Sequence, residues 1–186
     1  MEGTPVSGTY SQLFEGEVEN VIKCLNVEYE SSRSETFNCL QLSIGGDDCQ
    51  TIEDSLRKYV SAEVLDGDNQ YEALKYGKQD AKKFIRFKKL PPVLQVQVNR
   101  FDYDFEKDAM MKKNDQFKFE EVLNIDIVLP EETNQSQATT INQGKASKNL
   151  YHLHSILIHR GTLGAGHYFA FIRPSLAPDW YEFNDS

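Results

Sequence analysis

Long apolar runs are missing from this chain of 186 residues. Nothing approaches the roughly 18 consecutive apolar residues that a membrane-crossing helix needs, so no membrane partner is expected. Glycine and proline are sparse, at 11 and 6 residues, which excludes collagen-like and linker classes. Cysteine is scarce and odd in number: Cys24, Cys39 and Cys49. Three cysteines in a chain of this size do not form a disulfide framework, and a reducing compartment, cytoplasm and/or nucleus, is expected. Positive charge is in deficit, with 20 Lys and Arg against 29 Asp and Glu, a formal net charge of −9. Phosphate binding relies on clustered Lys and Arg, so no nucleic-acid partner is expected. The acidic balance favours a basic partner and speeds its approach. Met1–Phe14 has no basic region followed by an apolar core, and is not expected to be a secretory signal.

What remains is an ordinary globular composition, 39% hydrophobic and 26% charged, in a chain long enough for one sizeable domain. Met1–Tyr10 is small and polar and reads as loose. Glu17–Glu30 partly alternates apolar with polar residues and reads as strand, turn and strand. Ser31–Thr36 reads as a turn and Phe37–Ile44 as a strand, stopped by Gly45–Asp48. Thr51–Val60 is the clearest helix: Thr51 and Asp54 have capping-box spacing, and Ile52, Leu56, Tyr59 and Val60 share a face. Asp66–Asn69 is a turn. Ala81–Leu90 mixes basic and aromatic residues and is ambiguous. Val93–Phe101 alternates cleanly, as does Leu123–Leu129, and both read as strands. The polar stretch 131–149 reads as a mobile surface insertion. Strand character resumes at Leu150–His159 and, after the Gly-rich loop Arg160–Gly166, at His167–Arg173 and Trp180–Phe183. The sum is an α+β chain dominated by antiparallel sheet.

All four histidines fall in Tyr151–His167. His167 follows the Gly-rich loop and opens a strand, which gives an imidazole a rigid root and open access, as a general base needs. Such a base also needs a third group to fix its tautomer. Asn184 or Asp185 could reach it if the last two strands pair antiparallel. A strand-end histidine and a polar turn without chemistry fit the same spacing. His152 and His154 sit at i and i+2 and could hold a metal, but no third ligand has matching geometry, so packing or solvent-facing roles are favoured. Among the cysteines, Cys24 and Cys39 lie in expected strands, and Cys49 lies in an acidic turn that would blunt a nucleophile.

Several of these stretches resemble the ubiquitin-specific proteases, in the family's order. Gly166-His167-Tyr168 with Phe169–Arg173 is similar to the histidine box, and Tyr151–Gly161 to the strand preceding it. Trp180–Asp185 is similar to the box supplying the third triad member. Leu90–Leu94 with Asn99-Arg100-Phe101 looks like the palm strand, and Leu65–Tyr71 and Leu13–Gly16 also fit. The resemblance covers nearly the whole chain apart from the polar stretch.

The resemblance implies a papain-like cysteine protease palm plus β fingers within residues 1–186, with the thumb lying upstream. It implies His167 as general base, Asn184 as the residue orienting it and Asp185 as an auxiliary polar group beside the oxyanion region. It places Arg100, Phe101, Lys112, His159 and Tyr168 along the channel for the arginine-bearing ubiquitin tail, with Arg160–Gly166 gating that channel. The partners implied are ubiquitin and ubiquitinated proteins. The cysteine box is not in this chain, so the 186 residues alone are expected to be inactive, and a non-catalytic ubiquitin-binding module or pseudo-protease is the alternative. Many members hold zinc in the fingers through two Cys-x-x-Cys pairs. The corresponding positions here are Cys24, Val27, Ala73 and Tyr76, so no metal and no cofactor is expected.

Overall fold

The computed structural model describes residues 6–129, 149–175 and 177–185. The expected insertion at 131–149 lies outside them except for Asn149. In chain order come helix α1 (Thr9–Phe14) and strands β1 (Gly16–Cys24), β2 (Glu30–Phe37) and β3 (Leu40–Ser43). Helix α2 (Ile52–Val60) follows, then β4 (Glu63–Leu65), β5 (Tyr71–Ala73), β6 (Gly77–Gln79), β7 (Ala81–Lys89) and β8 (Val96–Asn99). The chain continues through β9 (Phe101–Asp104), β10 (Ala109–Lys112), β11 (Val122–Asn124), β12 (Leu150–His152), β13 (Ser155–Gly161), β14 (Gly166–Ile172) and β15 (Tyr181–Phe183). The pairings β1–β2, β1–β7, β4–β7, β5–β6, β9–β10, β11–β12, β13–β14 and β14–β15 are all antiparallel. The α+β, mainly antiparallel fold class therefore holds.

The chain divides into two compact units. The first comprises Met1–Leu42, Leu56–Gln97 and Val128–Gln143. Its main sheet has the order β2-β1-β7-β4. Val18, Val21, Leu40, Leu42, Leu56 and Phe87 are among its buried apolar residues, and Phe87 packs on Tyr59 and Phe37 at ring distances of 5.9 and 6.0 Å. The second unit comprises Ser43–Ser55, Val98–Ile127 and Gly144–Ser186. It carries the hairpin β9–β10, the pair β11–β12 and the sheet β13-β14-β15.

The capping box of α2 forms reciprocally: the Asp54 N–H donates to Thr51 Oγ1 (3.1 Å) and the Thr51 N–H to Asp54 Oδ2 (3.2 Å). Other expectations are corrected. Ser31–Thr36 is not a turn but the body of β2, the edge of its sheet. Its polar side chains are mostly exposed, so it has no buried face to show as alternation, and the reversal falls at residues 25–29. The ambiguous Ala81–Leu90 is interior strand β7. Its charges masked it, yet Arg86 and Lys88 reach Glu19 on the neighbouring β1 at 3.4 and 3.5 Å. Leu123–Leu129 keeps strand pairing only over Val122–Asn124 and then turns as a 3-10 helix, Ile125–Val128. The Asn124 side chain accepts the Asp126 N–H (3.0 Å), an Asx turn that interrupts the strand.

Val93–Phe101 breaks at Arg100, and Leu150–His159 breaks at Leu153–His154. Thr9 and Tyr10, read as loose, begin α1. Hairpins β5–β6 and β9–β10 were not foreseen. The Asp104 carboxylate accepts the N–H groups of Glu106 and Lys107 (3.0 and 3.1 Å) to close the second.

Candidate active site

The sheet β13-β14-β15 brings the expected pair together. On one side β14 pairs with β13 so that Tyr168 lies opposite His159 and His167 opposite Arg160. On the other, Ala170 lies opposite Phe183, Phe171 opposite Glu182 and Ile172 opposite Tyr181. Asn184 follows the last paired residue of β15, on the side toward the start of β14. Its Oδ1 sits 2.6 Å from His167 Nε2. An amide oxygen only accepts, so Nε2 carries the proton and donates, and Nδ1 keeps a lone pair. The imidazole is 46% exposed. It stacks on Phe169 at 6.5 Å with 14° between ring planes, and Arg160 covers the Phe169 ring at 5.5 Å. The ring is thus packed against Phe169 and remains about half exposed.

Asp185 Oδ1 lies 3.3 Å from the same Nε2. The structure brings this carboxylate to the imidazole. Tyr168, Glu182, Phe183, Asn184 and Asp185 line one open depression. Glu182 was missed in the sequence, and the signal for it was its place two residues before Asn184, on the same side of a strand.

A second cluster adjoins on β9, β10, β13 and β14. His159 packs against Tyr168 at 4.6 Å and Phe101 at 5.9 Å between ring centres. Lys112 Nζ donates to the carbonyls of His159 (3.0 Å) and Gly161 (2.8 Å) and lies 3.2 Å from His159 Nδ1. An ammonium has no acceptor, so Nδ1 receives and the His159 proton sits on Nε2. Phe101, Lys112, His159 and Tyr168 therefore form one group.

Arg100 is bound elsewhere: its Nη1 donates to the carbonyls of Lys113 (3.2 Å) and Asp115 (2.9 Å), which ties β9 to the segment after β10. The Gly-rich loop is narrower than expected. Gly161 ends β13 and Gly166 opens β14, and the Thr162 N–H closes the turn on Ala165 O at 2.9 Å. Gly161 has φ +128, where a side chain would be strained, and a Cβ on Gly166 would meet the His159 ring.

The remaining candidates separate from this site. His152 is in β12 and His154 in the break after it, and among the described residues no group of three or more His, Cys, Asp or Glu is placed to hold a metal. Cys24 and Cys49 are buried and Cys39 is exposed. Partial desolvation pushes the Cys39 thiol up, away from thiolate. Of the positions at which the resemblance looked for zinc ligands, Cys24 and Ala73 are buried with Ala81, and Val27 packs against them together with Tyr29 and Tyr71. One sulfur among apolar side chains does not fit a tetrahedral zinc.

A histidine whose tautomer is fixed by a neighbouring amide, on an antiparallel sheet beside an open depression, has the geometry that the base of a nucleophilic hydrolase site requires. The family model described as ubiquitin carboxyl-terminal hydrolase matches residues 2–186, and the chain belongs to that family. It is 45% identical over 185 residues to ubiquitin C-terminal hydrolase 12 of Arabidopsis thaliana. It is 41% identical over 185 residues to ubiquitin carboxyl-terminal hydrolase 7 of Drosophila melanogaster. Both matches take in 100% of this chain but only 16% and 15% of the relatives' lengths. Among solved structures, a chain of the SAGA DUB module with Ubp8, Sgf11, Sus1 and Sgf73 matches with TM-score 0.76 and 30% identity. That match covers 94% of this chain and 36% of the other.

Proposed function

We propose that these residues are the fingers-and-palm part of a deubiquitinating thiol hydrolase that cleaves the bond after the C-terminal glycine of ubiquitin. The observation that carries the reading is the 2.6 Å approach of His167 Nε2 to Asn184 Oδ1 at neighbouring strand ends. His167 is the general base, Asn184 the group orienting it and Asp185 an auxiliary polar residue. Phe101, Lys112, His159 and Tyr168 border the path of the ubiquitin tail, and Arg100 braces the segment after β10 through the carbonyls of Lys113 and Asp115. Ubiquitin and ubiquitinated proteins are the partners, and the cytoplasm and/or nucleus the compartment.

The steps follow from the tautomer. His167 Nδ1 takes the proton of a cysteine thiol supplied from outside these 186 residues. The thiolate attacks the glycine carbonyl, and the imidazolium returns the proton to the leaving amine, which leaves a thioester. Water then attacks with Nδ1 again as base, releasing the ubiquitin carboxylate and the free thiol. Asn184 accepts from Nε2–H throughout and holds the ring in plane. The finer likeness within the family is to herpesvirus-associated ubiquitin-specific protease, hydrolase seven, on the style of Leu65–Tyr71 and of the fingers.

The test is a fluorogenic ubiquitin amide and an electrophilic ubiquitin probe offered to the full-length protein. Turnover and probe capture are expected, with His167→Ala reducing kcat by at least about a thousandfold. Ubiquitin binding without turnover or capture would move the reading to the alternative, a non-catalytic ubiquitin-binding module. That alternative draws on the burial of Cys24 and Cys49 and the raised thiol of Cys39.

A further inference from the structure

We propose that Glu182 is a positioning residue that fixes which end of the Asn184 amide meets His167, an inference that rests on the hydrolase reading of this site. Glu182 Oε1 lies 3.0 Å from Asn184 Nδ2, on the opposite end of the amide from the 2.6 Å contact with His167. Glu182 lies in β15 and Asn184 directly follows that strand, and the 3.0 Å contact brings their side chains together. They line the same depression.

The donor inventory makes the arrangement directional. A carboxylate only accepts, an amide nitrogen only donates and an amide oxygen only accepts. Reversing the Asn184 amide would set its oxygen against the Glu182 carboxylate, two acceptors face to face. It would also set the amide NH2 against His167 Nε2–H, two donors face to face. The Glu182 carboxylate therefore raises the reversed state by a repulsion and lowers the observed one by a charge-assisted hydrogen bond. Asp185, 3.3 Å from Nε2, does not do this, because its contact is with the imidazole and not with the amide. With Glu182 gone, no other contact of the amide nitrogen among the described residues distinguishes the two orientations, which leaves His167 itself, and water competes at this exposed site.

The residue at 184 supplies the control. An aspartate there has two equivalent oxygens and no orientation to choose, so Glu182 has nothing to position. It would instead stand beside a second carboxylate and repel it. The effect of Glu182 must depend on whether residue 184 is asparagine.

The experiment measures kcat and KM for a ubiquitin amide with full-length protein carrying Glu182→Ala, Glu182→Gln, Asn184→Asp and the Glu182→Ala/Asn184→Asp pair. Glu182→Ala is expected to lower kcat on the order of tenfold with KM little changed. Glu182→Gln, which keeps an acceptor oxygen, restores most of it. In the Asn184→Asp background, Glu182→Ala costs nothing relative to Asn184→Asp alone. An equal loss in both backgrounds, no loss with Asn184 present, or a glutamine as poor as alanine would each overturn the proposal. A second readout needs no activity: the hydrogen-bonded Nε2–H proton of His167, followed by NMR of histidine-labelled protein. Glu182→Ala should speed its exchange with water and Glu182→Gln should restore it; unchanged exchange overturns the proposal. Absence of turnover by the unaltered protein defeats the hydrolase reading, and the proton resonance still decides the role of Glu182.

Discussion

Arg173 closes the β14–β15 turn that sets Asn184 against His167, and its replacement by methionine tests whether that closure matters. The residue is 7% exposed. Its backbone N–H donates to His154 O (2.8 Å), its Nη2 to Leu153 O (2.8 Å) and its Nη1 to Glu121 Oε2 (3.0 Å). Its guanidinium lies 5.2 Å from the ring centre of Trp180, the residue before β15. Methionine keeps much of the apolar stem and removes the fork. The Leu153 carbonyl then loses its donor, at about 1–2 kcal/mol. The contact with Trp180 is worth about 0.5–1 kcal/mol. The Glu121 carboxylate is 66% exposed, so water recovers most of what it loses, and the ion pair itself contributes about 0.5 kcal/mol at most. Against these stands the buried Nε–H, which has no partner, and whose removal returns about 1 kcal/mol. The net cost is about 1.5 kcal/mol. Native-state hydrogen exchange of the β14 amides should accelerate by roughly tenfold under conditions where exchange reports the opening equilibrium. Glu121→Gln should change it by less than about threefold. Equal effects of the two substitutions would show that the ion pair holds the turn, and would refute the assignment to the Leu153 and Trp180 contacts.

Other outcomes follow from neighbouring geometry. Lys112→Met removes the donors to the carbonyls of His159 and Gly161 and should speed exchange of the Thr162 amide by about tenfold; it should raise KM for a ubiquitin amide more than it lowers kcat. Gly166→Ala drives a Cβ into His159, which Lys112 holds in place, and should cost about 1–3 kcal/mol by exchange of the β13 and β14 amides. Burial pushes the half-buried Tyr151 phenol up to about 12. The native state then keeps its proton while the unfolded chain ionises near 10, so this stabilisation is full below pH 10 and is lost as pH rises toward 12. After allowance for solvent at this partly exposed site, the loss is about 1–2 kcal/mol. Tyr151→Phe should remove it from the alkaline stability profile, along with one late step in the tyrosinate absorbance titration.

The pair His167–Asn184 was legible because it is local. His167 and Asn184 lie on consecutive strands, so the choice of antiparallel pairing almost fixed their meeting. The Lys112–His159 contact spans 47 positions, and only the family resemblance brought those residues together. Even then it did not show that the ammonium is occupied by two carbonyls of its own chain. Arg100 illustrates the same gap, since a basic residue in a channel motif turns to the carbonyls of Lys113 and Asp115. In the fold, β1 and α2 were readable because each has a buried face and a polar one. β2 was not, because an edge strand with exposed side chains has no pattern to show. β7 was obscured because its Arg86 and Lys88 answer Glu19 across the sheet, a pairing invisible to periodicity.

The apolar cluster around Cys24 carries the last prediction. Strands β5 and β6 have three residues each, and a hairpin that short has little stability of its own. Ala73 is fully buried against Cys24 and Ala81. Tyr29 meets Tyr71 at 6.3 Å and Tyr76 at 6.1 Å between ring centres. Packing on these rings can hold the hairpin, with the cysteine serving as a small apolar side chain. Chelators should then leave exchange of the Tyr71–Gln79 amides unchanged. Cys24→Ser, which buries a hydroxyl among apolar neighbours, should cost about 1–3 kcal/mol in the same measurement. If a metal held the hairpin, the ranking would invert: the chelator would release it, and serine would act by loss of a ligand. A hairpin loosened by chelation would therefore refute the packing account.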